Sequence, residues 1–307
     1  MPGEKIYDLI IIGAGPAGIT AGIYAARKKM DCLIVTVDVG GQAAWSGDIE
    51  NYTGYQFISG TELVAKFEEH VRNYKIDIRE NEEVRELEKR SDTAWISTDK
   101  NKYAARTVII ASGKRSKELG APGEAEFKNR GLTYCATCDA PLFEGKDVVI
   151  AGGGNSALDA ALQLVKIAKK IYVINITPEL DGDAVMCEKV IADSKVTVFN
   201  NSEVTEIFGD KFVEGIKFKK EGKEGTLSVQ GVFVEIGLIP NSEFIKDIDK
   251  NELGEIRVNC QTETNVPGVF AAGDVTSVME KQIIIAAGEG SKATLRAFRY
   301  LAERKYR

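Results

Sequence analysis

Histidine is almost absent from this 307-residue chain: His70 is the only one. It falls in a segment whose apolar residues Leu63, Val64, Phe67, Val71 and Tyr74 share one helical face, opened by the capping box Ser59-x-x-Glu62. A catalytic histidine needs a partner that orients it; none is in view, so His70 reads as a surface residue. A basic excess is lacking too. Forty Lys and Arg against 46 Asp and Glu leave a net charge of −6, which argues against nucleic acid or an anionic membrane as partner. No apolar run approaches the ~20 residues needed to span a bilayer. The apolar stretch 6–26 is interrupted by Asp8 and by the run Gly13 to Gly18, a strand–turn–helix pattern and not a signal peptide. Five cysteines with one close pair are too few for an extracellular disulfide framework. The expected location is the cytoplasm.

The close pair is Cys135-Ala136-Thr137-Cys138, followed directly by Asp139. Two cysteines three apart can meet on one helical face or close a small-ring disulfide, and the Asp places a carboxyl group beside the second sulfur. Half a zinc site is the competing reading. Zinc wants four N or S ligands, usually as a second close pair, whereas Cys32, Cys187, Cys260 and His70 are scattered singly. A lone CxxC beside βαβ patterns is instead the cytosolic redox signature, and no metal site is expected.

Two dinucleotide fingerprints flank that pair. The apolar run Ile6 to Ile12 reads as a strand buried on both faces. It leads into Gly13-x-Gly15-x-x-Gly18 and an Ala-rich helix, with Asp38 about 20 residues on, where ribose hydroxyls are usually bonded. The second fingerprint, Gly152-x-Gly154-x-x-Ala157, follows the strand 147–151. Gly40-Gly41-Gln42 and Asn51-Tyr52 lie in a polar loop able to wrap an extended cofactor. Short runs at 82–88, 94–98 and 102–104 suggest an antiparallel meander, with a separate buried strand from Val108 to Ala111. Further strands are expected at 196–199, 203–208, 212–219 and 232–236. Linkers are read at 114–126 and 241–247. The last sixty residues have too few strands for a third domain, so they return to the first. The expected fold is α/β: two Rossmann-like, three-layer β/β/α dinucleotide-binding domains, the second inserted into the first. Residues 1–115 and 244–307 form the first dinucleotide-binding domain, and 116–243 the second, carrying the CxxC.

Taken together, the two fingerprints, CATCD and FAAGD (270–274) resemble the low-molecular-weight thioredoxin reductase family of FAD flavoproteins, over essentially the whole chain. By motif the resemblance implies that Gly13, Gly15, Gly18, Asp38, Gly41, Gln42, Asn51, Gly273, Asp274 and Gln282 contact FAD. It implies that Cys135 and Cys138 are the redox-active dithiol, Cys138 facing the flavin and Cys135 attacking the partner, with Asp139 as acid–base partner. Gly152, Gly154 and Ala157 would form the nicotinamide-cofactor turn. It also implies a homodimer and a thioredoxin, or a thioredoxin- or glutaredoxin-like protein, as partner.

The chain departs from that family in two places. NADPH-using members carry a His-Arg-Arg-x-x-x-Arg stretch, where this chain reads Asn175-Ile176-Thr177 and then Asp181. The stretch VINITPELDGDAV, and the ending KQIIIAAGEGSKATLRAFRYL, are more similar to the flavoprotein subunit of alkyl hydroperoxide reductase, an NADH user. The first fingerprint, starting at Gly13, leads to the expectation that the extra N-terminal region of that subunit is missing. NADH is therefore favoured over NADPH, with the Asn175 side-chain carbonyl as ribose acceptor. The other departure is Ala140, where the family usually has Gly. Two alternatives stay open: a ferredoxin or deazaflavin donor in place of a nicotinamide, and a non-catalytic flavin-binding protein. Since flavin reduction and delivery to a bulky partner ask for different geometries, rotation about the two linkers is expected.

Overall fold

The computed structural model describes residues 5–45, 48–49 and 51–305, with backbone only at 45, 48, 137, 138 and 305. The chain divides into two compact units, Met1–Arg115 with Ile239–Arg307, and Ser116–Leu238.

In the first unit, strand Ile6–Ala14 pairs in parallel with Cys32–Val39 on one side and Lys102–Ile110 on the other. Asp77–Arg79 extends the sheet beyond the former, and Val269–Ala271 pairs in parallel with the latter. Its continuous hydrophobicity has a two-sided cause. Leu9 and Ile11 pack with Ile34, Ile109 and the Ala-rich faces of helices Pro16–Arg27 and Ile283–Lys305. Ile10 and Ile12 pack on the opposite face with Leu33, Val35, Leu87, Ala94 and Ile96. That second face is covered by an antiparallel meander of Val84–Arg90, Thr93–Thr98 and the first half of Lys102–Ile110. Helices, parallel sheet and meander make three layers.

The expected separate strands at 102–104 and 108–111 are one strand. No turn residue breaks them, and Thr107 continues the ladder with its hydroxyl donating to the Asp8 carbonyl at 2.6 Å. The last segment returns to this unit because its helix packs on the first one through small residues. A Cβ at Gly290 would stand 2.0 Å from the Ala17 carbonyl oxygen, and the Thr294 hydroxyl donates to the Ala21 carbonyl at 3.0 Å.

The second unit repeats the plan. Its parallel sheet runs Leu132–Thr133, Gly231–Val234, Asp147–Ala151, Lys170–Ile174, Val196–Phe199. Val148 and Ile150 face helix Asn155–Leu164, while Val149 and Ala151 face a second meander. That meander is Ser202–Gly209, Val213–Lys220 and Lys223–Ser228. The last of these was not expected: KEGTLS is a polar edge strand without apolar alternation. The second compact unit ends at Leu238, and the first resumes at Ile239. Among the described residues no helix is long and apolar enough to cross a membrane.

Candidate functional site

The first glycine turn sits at the carboxyl end of the parallel sheet, the position where open α/β sheets bind ligands. Gly13 (φ +102°) and Gly18 are glycine for internal reasons. A Cβ at Gly18 would stand 1.9 Å from the Gly13 carbonyl oxygen, and one at Gly13 would stand 2.3 Å from that of Ala111. Gly15 differs: its Cβ would meet nothing closer than the Gly40 oxygen at 3.9 Å. The open side of this turn is thus free for close approach from outside the chain. Gly15 is also the N-cap of helix Pro16–Arg27, with no side chain capping it, so the first-turn N–H groups are left to an external acceptor such as a pyrophosphate. The residues fit a dinucleotide.

The other residues that the resemblance assigns to FAD belong to the same compact unit. Asp38 is exposed near the end of its strand. The Thr36 hydroxyl donates to the Asp38 carbonyl at 2.5 Å and accepts from the Ala14 N–H at 3.2 Å, tying the two strand ends together. Gly41 and Gln42 open a 3-10 turn, Gly41–Trp45. The Asn51 amide donates to Gln282 at 3.0 Å across 231 residues of sequence. Gly273 (φ +77°) packs against Ala17 of the first helix, and its N–H donates to the Glu289 carboxylate at 2.7 Å. Burial raises the half-buried carboxyl of Asp274, with Lys281 and Lys114 pulling the other way. Those two lysines pair with Glu255 at 3.1 and 2.7 Å. Burial alone would raise Glu255, but the hydrogen bonds from Lys114, Asn251 and Lys281 outweigh it and hold its carboxyl down at about 2. His70 is exposed.

In the second unit Gly152 (φ +138°) turns against the Glu235 carbonyl oxygen, 2.2 Å from where a Cβ would stand, and the Ala157 methyl closes in at 3.2 Å. Gly154 is the uncapped N-cap of helix Asn155–Leu164. Asn175 requires a correction. It is 2% exposed, and its carbonyl oxygen already accepts from the Thr177 N–H (3.3 Å) and hydroxyl (2.8 Å). Its amide lies within hydrogen-bond distance of the Glu179 carbonyl and Asn200. Buried in these bonds, Asn175 braces the 175–179 loop and offers no free acceptor to a ribose. The exposed groups there are Ile176, Glu179, Asp181 and Asp183. The Asp181 carboxylate lies 3.4 Å from a Cβ placed at Gly154.

The CxxC segment belongs to this same unit. Cys135 is disulfide-bonded and immediately precedes the short helix Ala136–Asp139; Cys32, Cys187 and Cys260 are free. The side chain of Cys138 lies outside the described residues. Thr133, 6% exposed, connects the segment. Its hydroxyl donates to the Asp139 carboxylate and accepts from the Cys135 N–H at 3.1 Å. Glu235 reaches the start of the helix, accepting from the Ala136 N–H at 3.4 Å. Sequence reasoning missed both. Thr133 could have been noticed as a hydroxyl two residues before the first cysteine; Glu235, 99 residues from its partner, carried no signal.

Comparison with known proteins agrees with this layout. Residues 7–290 match the family model described as pyridine nucleotide-disulphide oxidoreductase. The chain is 41% identical to an NADH dehydrogenase of Bacillus subtilis over 97% of its own length and 59% of that protein. It is 39% identical to the F component of the alkyl hydroperoxide reductase of Staphylococcus aureus over 97% of its length and 60% of that one. It therefore spans less than two thirds of these curated relatives. The solved thioredoxin reductase of Lactococcus lactis superposes with a TM-score of 0.82 at 33% identity, covering 97% of this chain and 99% of that one. On these grounds the chain belongs to the pyridine nucleotide-disulphide oxidoreductase family.

Proposed function

We propose that this protein passes electrons from a reduced nicotinamide, NADH in preference to NADPH, through FAD and the Cys135/Cys138 dithiol to the disulfide of a thioredoxin- or glutaredoxin-like protein. One observation carries the reading: a disulfide-bonded Cys135, linked through Thr133 to Asp139, sits in the unit that also holds the second glycine turn. FAD, when bound, supplies the conversion between hydride transfer and electron-pair transfer to sulfur. Gly13, Gly15 and Gly18 with the uncapped helix start would hold its pyrophosphate, and Asp38 its ribose hydroxyls. Gly41, Gln42, the Asn51–Gln282 pair, Gly273 and Asp274 would complete that site. Gly152, Gly154 and Ala157 would serve the nicotinamide dinucleotide.

Toward the partner, Asp139 takes the proton of the Cys135 thiol, and the resulting thiolate attacks one sulfur of the partner's disulfide, forming a mixed disulfide and releasing a thiolate to which Asp139 returns that proton. The second cysteine then attacks Cys135, releasing the other partner sulfur and re-forming the internal disulfide.

The donor preference rests on charge. A 2′-phosphate carries close to two negative charges and needs Arg or Lys to replace its hydration. Positions 175–183 offer no basic residue, and Glu179, Asp181 and Asp183 are exposed. NADH is expected to exceed NADPH at least about tenfold in kcat/KM, ~1.4 kcal/mol. Because Ile176 is 69% exposed, Ile176→Arg should narrow that ratio.

One observation favours a second reading, a ferredoxin or deazaflavin donor: the Asp181 carboxylate beside Gly154 sets a negative charge against any pyrophosphate at that turn. Anaerobic titration of flavin absorbance with NADH, NADPH and reduced ferredoxin tests both. Bleaching by NADH at the lowest concentration supports the first reading. Bleaching by ferredoxin or a deazaflavin, and by neither nucleotide, overturns it.

A further inference from the structure

We infer that Glu235 is a positioning residue for the dithiol: it holds the Cys135–Ala136 peptide, and its charge sets the balance between thiol and thiolate at Cys135. The inference rests on the redox role proposed for Cys135 above. Glu235 directly follows strand Gly231–Val234 and is fixed by its own backbone. Its N–H donates to the Ala151 carbonyl at 2.8 Å, and its carbonyl oxygen forms the wall against which Gly152 turns. From that anchored position the half-buried side chain accepts from the Ala136 N–H at 3.4 Å. One residue therefore touches both the second glycine turn and the start of the CxxC helix.

The carboxyl is poised to change charge in the working range. Burial pushes it up to about 7, with the Ala136 N–H opposing and the Asp159 carboxylate of helix Asn155–Leu164 adding to the rise. The other charged group on the CxxC segment is Asp139, itself engaged by Thr133. Covalent geometry keeps the Cys135 sulfur within about 5 Å of the Ala136 nitrogen, hence within about 8 Å of the Glu235 oxygen. A carboxylate at that range opposes a thiolate and raises the thiol by up to about one pH unit. Below about pH 6 Glu235 is mostly protonated and the effect fades; above about pH 8 it is fully present.

Glu235→Gln isolates the charge, since the amide oxygen can still accept from Ala136. The reduced protein, in a Cys138→Ser background, is alkylated with iodoacetamide across pH. Cys135 is followed by mass spectrometry, with the exposed Cys260 as internal reference. At about pH 8 Cys135 should react about two- to threefold faster in the Gln variant: it gains thiolate, but each thiolate is less nucleophilic. At about pH 6 the two rates should agree. Glu235→Asp, which keeps the charge, should follow the parent. Superimposable profiles for parent and Gln variant overturn the inference; so does an equal change at Cys260, or an Asp variant that behaves like Gln. Alkylation needs no nicotinamide and no turnover, so a protein that refuses NADH still reports on Glu235.

Discussion

Cys135→Ser and Cys138→Ser should each abolish reduction of a protein disulfide while leaving FAD bound and reducible by its donor. Serine cannot form the internal disulfide, and its hydroxyl does not ionise to a nucleophile at neutral pH, so the loss should be complete. The flavin should be spared because the residues proposed to hold it lie in other segments. The Gly13–Gly18 turn, the Asn51–Gln282 pair and Gly273–Asp274 all belong to Met1–Arg115 with Ile239–Arg307, whereas the CxxC belongs to Ser116–Leu238. The local fold should also survive. Cys135 meets Thr133 and Asp139 through its backbone N–H and carbonyl, at 3.1 and 3.2 Å, and serine keeps both groups. The measurements are flavin absorbance of each purified variant and steady-state reduction of a thioredoxin disulfide. Colourless protein in both variants, or near-normal turnover in either, contradicts the assignment.

What the sequence made legible was what repeats or what glycine alone can do. Ile6 to Ile12 announced a strand between two layers, because alternate residues enter two different cores. Gly13 and Gly18 announced a turn in which the carbonyl oxygens of Ala111 and Gly13 leave no room for a Cβ. The meander strand Lys223–Ser228 stayed hidden because none of its residues is buried, so it carries no apolar alternation. Side-chain environment was hidden for a different reason. Asn175 stands where a ribose acceptor is expected, but its burial is decided by Thr177, Glu179 and Asn200, which fold over it. Glu235 is one glutamate among many until the parallel pairing of Gly231–Val234 with Asp147–Ala151 carries it to Ala136. Long-range contacts of this kind leave no periodicity to read.

Asp139→Asn should slow thiol–disulfide exchange by ~10²–10⁴-fold, the usual worth of general acid–base help, with little change in reduction of the flavin. The geometry separates this effect from folding. The Thr133 hydroxyl donates to one Asp139 oxygen and accepts from the Cys135 N–H, while the Asp139 N–H donates to the Cys135 carbonyl at 3.2 Å. Asparagine retains the backbone bond and a side-chain oxygen for Thr133, so the short helix keeps its shape. What it cannot do is give or take a proton. The released partner thiolate must then find its proton in solvent, and the internal thiol must lose its own without a neighbouring base. Stopped-flow reduction of the flavin by its donor and steady-state reduction of the protein disulfide measure the two halves separately. A parent-like rate of partner reduction across the whole pH range would leave Asp139 as nothing more than a brace for Thr133. A loss confined to partner reduction, with flavin reduction intact, assigns the carboxyl to the proton traffic at Cys135.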